Sequence, residues 1–226
     1  MSFADIAIKY FNGLKTPELN FNQTELLNPY SSAEVKGVVK KFYRKFYDDD
    51  NERIFIIGIN PGRFGGGLTG ISFTDPVALR EQCGIENNLG NQKELSSKFI
   101  FSVADKFGGV EKFFSKVFLT ALYPFALLKE GKNYNYYDDK LLAEHLKSEI
   151  IKNIKSQIKF GAYRDFAILL GKKNAAYFDL INSEYKFFKK IIVIEHPRYI
   201  MQYKLKNADT YINKYIESIN SLKFLK

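Results

Sequence analysis

The chain is constrained most strongly by residues 54–70. Ile54-Phe55-Ile56-Ile57-Gly58-Ile59 is a short, β-branched apolar run flanked by charge, the pattern of a parallel strand buried on both faces. It stops at Asn60-Pro61-Gly62: proline removes a backbone donor and glycine frees φ, so the chain must leave the sheet there. Gly65, Gly66, Gly67 and Gly70 follow, leaving a backbone bare enough for a ligand to approach closely. Asn60, polar and placed at the end of a buried strand, is thereby held rigidly beside a groove. The loop is not a P-loop, which needs a Gly-Lys-Ser/Thr ending. Nor is it a dinucleotide fingerprint, because residues 63–70 carry neither the Gly-x-Gly-x-x-Gly spacing nor a helix start. On these grounds alone it serves equally as a structural turn or as a site.

Similar strands recur along the chain. Val117-Phe118-Leu119-Thr120-Ala121-Leu122, stopped near Pro124, is the second; Phe166-Ala167-Ile168-Leu169-Leu170, turning at Gly171, is the third. Ile191-Ile192-Val193-Ile194 is the fourth and ends at Glu195-His196-Pro197-Arg198. Between them lie helical periods. Phe3, Ile6, Ala7, Tyr10, Phe11 and Leu14 follow Ser2, a good N-cap, and stop at Gly13 and Pro17. Val35, Val38, Val39, Phe42, Tyr43 and Phe46 follow Ser31-Ser32, before a polar turn at Asp48-Asp49-Asp50-Asn51. Residues 95–107 read as a helix ended by Gly108-Gly109, and Leu141, Leu142, Leu146, Ile150, Ile151, Ile154 and Ile158 form a long amphipathic one. Its lysines, Lys147, Lys152, Lys155 and Lys159, are a solvated face, and His145 takes a surface position. A short helix runs from Gly171 through Leu180, and a last one carries Tyr211, Ile212, Tyr215, Ile216, Ile219 and Leu222. Residues 75–91 have no clean period and read as irregular or a short helix; residues 129–137 read as a polar loop.

Near-continuous apolar strands separated by helices imply an α/β fold. The expectation is a three-layer α/β/α sandwich, with a central, mainly parallel four-stranded sheet in one domain over residues 1–226. Ligands of such sheets bind outside the carboxyl ends of the strands. The unusual sequences cluster there: Asn60-Pro61-Gly62, the loop after Leu122, Gly171-Lys172-Lys173 and His196-Pro197-Arg198. A formal net charge of +9 favours a polyanionic partner. Cys83 is the sole cysteine, which rules out an internal disulfide and a four-cysteine cluster, and His145 and His196 are too few for a histidine-built metal site. No apolar run reaches membrane-spanning length and the N-terminus lacks a basic signal start, so a cytoplasmic protein is expected.

Gly58-Ile59-Asn60-Pro61-Gly62-Arg63-Phe64-Gly65, followed by Thr69-Gly70-Ile71-Ser72-Phe73, resembles the first motif of the uracil-DNA glycosylase superfamily. Within it, the single-strand-selective monofunctional uracil-DNA glycosylase family is most similar; it writes Gly-Met-Asn-Pro-Gly-Pro-Phe-Gly, then Thr-Gly-Val-Pro-Phe. His196-Pro197 resembles the start of its second motif, His-Pro-Ser-Pro-Arg, and Gly171-Lys172-Lys173 its backbone-contact loop. The resemblance spans residues 53–204. It implies a DNA glycosylase that hydrolyses the N-glycosidic bond of uracil, and of 5-substituted uracil, for base-excision repair. No lyase step, metal or cofactor is implied; the partner is single- or double-stranded DNA, and a monomer is expected.

By the same resemblance, Asn60 positions the attacking water and His196 donates to O2 of the departing uracil. Phe73 stacks on the base, with Gly58, Ile59, Pro61, Gly62, Phe64, Gly70 and Asn133 around it. Arg63, Lys172, Lys173 and Arg198 suit phosphates, and Tyr199, Ile200 and Met201 supply the duplex-entering wedge. Gly62, lacking a side chain, implies an open pocket at C5 of the base, with Phe64 or Leu68 as the side chains able to fill it. The family's Asn-His-Cys-Pro segment, whose Asn reads the uracil edge, corresponds to Ala121-Leu122-Tyr123-Pro124, so that reader is missing and Asn133 or Asn135 is the replacement to consider. Two other classes stay open: a DNA-binding protein on this scaffold that has lost the reaction, and an unrelated nucleotide-processing α/β enzyme.

Overall fold

A computed structural model describes residues 1–221; Leu222, at the end of the closing stripe, lies outside the described residues. In chain order the elements are α1 (Phe3–Asn12), β1 (Thr24–Leu27), α2 (Ala33–Phe46), β2 (Ile54–Gly58), α3 (Gly66–Thr69), α4 (Pro76–Glu81), α5 (Leu95–Phe107) and α6 (Val110–Phe114). Then come β3 (Val117–Ala121), β4 (Ala126–Lys129), β5 (Lys132–Tyr134), α7 (Lys140–Gln157), β6 (Phe166–Leu170), α8 (Lys172–Tyr185), β7 (Lys190–Ile194), α9 (Pro197–Tyr203) and α10 (Ala208–Asn220).

The central sheet has the order β3-β2-β6-β7, and every neighbouring pair is parallel. β2, β3 and β6 are buried along their whole length, as unbroken apolar runs require. All carboxyl ends therefore lie on one edge, where Gly58 pairs with Ala121 and Leu170 with Ile194. Helices cover both faces of the sheet. On α1, the Ser2 hydroxyl and the Asp5 carboxylate cap one another's backbone amides, and Phe3 of that helix packs against Phe118 of β3. Tyr215 of α10 stacks edge-on against Phe99 of α5. The edge strand β3 is blunted by side chains rather than by another strand: the Tyr47 hydroxyl donates to Val117 O, and Asn153 Nδ2 of α7 donates to Ala121 O and Leu122 O.

Four sequence expectations are corrected. Residues 129–137 are not a plain loop. β4 and β5 form an antiparallel hairpin with β1 on its outer side, a second sheet of order β1-β4-β5. Its turn is Glu130-Gly131, both at positive φ (53° and 68°), the backbone of a tight two-residue hairpin. The glycine loop does start a helix, the single turn α3, which ends at Gly70 (φ 71°). α8 runs beyond Leu180 to Tyr185 and ends at Lys186 in the left-handed region. Finally, the segment after His196 is a helix, α9, with Pro197 in its first turn, where proline's missing N–H costs nothing. No helix among the described residues is long and apolar enough to cross a membrane.

Candidate active site

Asn60 follows β2 over the carboxyl edge, and the hairpin that the sequence did not reveal holds it. Its Nδ2 donates to Tyr134 O (3.0 Å) and its Oδ1 accepts from Tyr136 N (3.3 Å). The carboxamide is thus fixed in one orientation, with one N–H and one lone pair left over. Asn133, on β5, accepts from Arg63 N through Oδ1 (3.0 Å), so the same hairpin also ties down the glycine loop.

Phe73 takes a left-handed backbone (φ 57°), rare for an aromatic residue and an indication of local strain. The outer edge of its ring lies against the end of β2: a Cβ on Gly58 would be 2.5 Å from Phe73 Cζ. The ring is also 5.9 Å, centre to centre, from the tilted His196 imidazole.

His196 leaves β7 and caps α9, its Nδ1 accepting from Arg198 N (3.2 Å). An accepting Nδ1 puts the proton of the neutral ring on Nε2. Burial, with the Arg198 charge adding to it, holds the imidazole pKa down at about 4, so the ring is a neutral N–H donor at physiological pH.

Ile59, Asn60, Pro61, Gly62, Arg63, Phe64, Phe73, Asn133, His196, Arg198 and Tyr199 line one cavity of about 660 Å³. The remaining expected residues fall elsewhere. Gly58 sits beneath Phe73 rather than on the cavity, and its role is to make room for that ring. Gly70 is packed against Tyr30, Val35 and Val39, with the Tyr30 hydroxyl donating to its carbonyl, so it belongs to the core and not to a base pocket. Lys172 and Lys173 are exposed on the first turn of α8, outside the cavity but on the same sheet edge. Ile200 is fully buried, which removes it from a duplex wedge, and Met201 is half-buried against the core. A helix brings the same face round every three or four residues, and α9 exposes Tyr199 and Tyr203, an i,i+4 pair, while Ile200 faces inward.

The sequence reading missed Glu94, immediately before α5. Its carboxyl occupies the space over the glycine loop: a Cβ on Gly62 would lie 1.8 Å from Oε1, and one on Gly65 2.1 Å from Oε2. Neither Phe64 nor Leu68 fills the volume that Gly62 vacates. Burial pushes the Glu94 carboxyl up to about 7, opposed by the Arg198 charge and assisted by Asp75. Lys93 and Lys132 also line the cavity, adding to the positive charge of Arg63 and Arg198. The available signal was the pairing of two glycines with an acid at a helix start, but they are separated by some thirty residues of irregular chain.

The sequence model described as "Uracil DNA glycosylase superfamily" matches residues 44–220. Among solved structures, the crystal structure of wild-type Pedobacter heparinus SMUG2 is similar. It shows 38% sequence identity over 99% of this chain and 99% of that one, with a TM-score of 0.93. No curated protein matches the chain.

Proposed function

The chain belongs to the uracil DNA glycosylase superfamily, and we propose that it removes uracil from DNA through Asn60 and His196, without a lyase step. Membership makes it a DNA glycosylase, a hydrolase of N-glycosyl bonds. One arrangement carries the residue assignment: a fixed carboxamide, an aromatic ring on a left-handed backbone and a neutral imidazole donor meet in one cavity at the carboxyl ends of β2 and β7.

A duplex hides the glycosidic bond, so the nucleotide enters flipped out or from single-stranded DNA. The base stacks on Phe73. As the bond to the sugar breaks, negative charge grows on the uracil, and the Nε2–H of His196 stabilises it. A neutral donor already in place acts mainly on the transition state, where this charge exists. The free lone pair of Asn60 Oδ1 orients the attacking water. Asn60 carries no amine, so the sugar is attacked by water and no Schiff base forms there. Arg63 and Arg198, with Lys172 and Lys173 further out, take the phosphates, and of the expected wedge the exposed Tyr199 remains, with Tyr203 joining it in place of the buried Ile200.

The space left by the missing Gly62 side chain is taken by the Glu94 carboxyl, so Gly62 does not by itself open the pocket at C5. A 5-hydroxymethyl group keeps hydrogen bonds to water in the cavity and is accepted, whereas the methyl of thymine displaces that water without replacing its bonds and is refused.

The test is incubation with uracil, 5-hydroxymethyluracil and thymine oligonucleotides, single- and double-stranded, with and without alkali. Alkali-dependent cleavage at the first two bases is expected. Cleavage without alkali would establish a lyase, and DNA binding without abasic sites would assign the chain to the non-catalytic class.

A further inference from the structure

Glu94 occupies an N-cap position yet does not cap: its side chain accepts nothing from the first turn of α5. Its backbone is locked instead. The Asp75 carboxylate accepts from Glu94 N (2.9 Å) and from Ala78 N (2.8 Å), and Asp75 is itself buried. The Glu94 carboxyl is thereby aimed over Gly62 and Gly65, into the cavity that Asn60, Phe73 and His196 share. Among the described residues, neither carboxyl oxygen has a hydrogen-bond partner. A carboxyl that is half-buried, held in place and unpaired by protein is available to a ligand entering the cavity.

We propose that Glu94 reads the extrahelical base, presenting the donor–acceptor pair of a carboxylic acid to the imide edge of uracil. This rests on the glycosylase assignment above. Uracil shows a carbonyl acceptor beside an N–H donor. A carboxylic acid matches this with its O–H and its C=O, as a carboxamide would. The other carboxamides in the cavity each already spend hydrogen-bonding groups on the protein. Asn60 is held by Tyr134 and Tyr136, Asn133 Oδ1 by Arg63 N, and Asn135 by Asp138. Ala121, at the end of β3, has no polar group to offer.

The charged and titratable groups around Glu94 are Asp75, Arg63, Lys93, Lys132, His196 and Arg198, with the hydroxyls of Tyr137, Tyr199 and Tyr203 on the same cavity. Of these, Arg198 favours the anion and Asp75 the acid; with burial the larger effect, the acid form persists to about pH 7.

The test is single-turnover excision of uracil from single-stranded DNA by the parent, Glu94→Gln and Glu94→Ala, from pH 6 to 8.5, with folding checked by thermal melts. Glutamine supplies the same donor and acceptor but does not titrate. Glu94→Gln should match the parent within a few-fold at pH 6. It should then escape the roughly tenfold fall per pH unit that the parent shows once the acid ionises. Glu94→Ala should be roughly 10- to 100-fold slower throughout, having lost two hydrogen bonds to the base. Glu94→Ala at the parent rate, or Glu94→Gln as slow as Glu94→Ala at pH 6, would overturn the proposal while leaving the glycosylase assignment intact. A parent that excises no uracil at any pH would overturn both.

Discussion

Gly58→Ala isolates the geometry of the site from its chemistry. The new methyl carbon would lie 2.5 Å from Phe73 Cζ and 3.0 Å from Cε2, while its 3.5 Å approach to Thr120 O is ordinary contact. Carbon atoms pack at about 3.5–4.0 Å, so the ring must withdraw by roughly 1 Å. Phe73 cannot absorb this by relaxing its backbone, already held at φ 57°. The stability cost stays moderate. Overpacking of this kind costs about 1–3 kcal/mol, and alanine in a strand recovers roughly 0.5–1 kcal/mol over glycine. Catalysis is more exposed, because a displacement of about 1 Å at a reacting centre can cost roughly 10²-fold. Urea unfolding should therefore show a folded protein within about 2 kcal/mol of the parent. Single-turnover excision at saturating enzyme should fall by about two orders of magnitude. Adding Phe73→Leu should recover stability but not rate, since the flat stacking surface is gone. A folded Gly58→Ala variant that excises uracil at the parent rate would refute the claim that ring placement governs the reaction.

Asn60→Ala and His196→Ala should fold and bind DNA within a few-fold of the parent while excision falls roughly 10²–10³-fold; parent-like rates in both would dismiss the site assignment. His196→Ala should also melt earlier, since loss of the α9 cap costs about 1 kcal/mol. Neutralising Arg63, Lys172, Lys173 and Arg198 together should lower the salt slope of DNA binding by about 0.9 per lost phosphate contact. The same number of changes on α7, at Lys147, Lys152, Lys155 and Lys159, should leave that slope nearly unaltered in fluorescence anisotropy, and an equal loss would mean that only net charge matters. The pH dependence of stability should separate His196 from Glu94. Between about 4 and 6.5 the unfolded state holds the His196 proton and the folded state does not, so this group makes stability rise with pH and its contribution disappears as pH falls. Between 4.5 and about 7 the folded state keeps the Glu94 proton that the unfolded state has lost, so stability falls as pH rises. The two oppose one another in the parent. Urea midpoints should slope upward with pH in Glu94→Gln and downward in His196→Ala, by at most about 1.4 kcal/mol per pH unit; slopes of the same sign would refute both assignments.

Much of this architecture is a local matter and was readable in the chain. β2 and β6 announce themselves as unbroken apolar runs because both of their faces are covered, and α2 announces its core stripe because a helix meets the sheet on one side only. The break at Asn60-Pro61-Gly62 needs no partner to be understood, since proline and glycine act through their own φ. From that break, and from His196 at the end of another apolar run, the carboxyl-edge site follows, although β7 proves to be a partly exposed edge strand.

What local pattern could not supply depends on residues far apart in sequence meeting in space. β4 and β5 lack the alternation of a half-buried strand, and Thr24–Leu27 becomes a strand only because β4 lies beside it. That hairpin then fixes Asn60, a relation invisible along the chain. Ile200 looks like an exposed wedge until α9 packs against α5 and buries it. Gly62 looks like an open pocket until Glu94, positioned by Asp75, occupies it. The sequence by itself determined which backbone segments end in a groove and which side chains stand at those ends. Tertiary structure alone decided what fills the groove, which hydrogen bonds are already made and which protons are held at neutral pH. Those properties depend on burial and on distances between charges, and both are set by non-local packing.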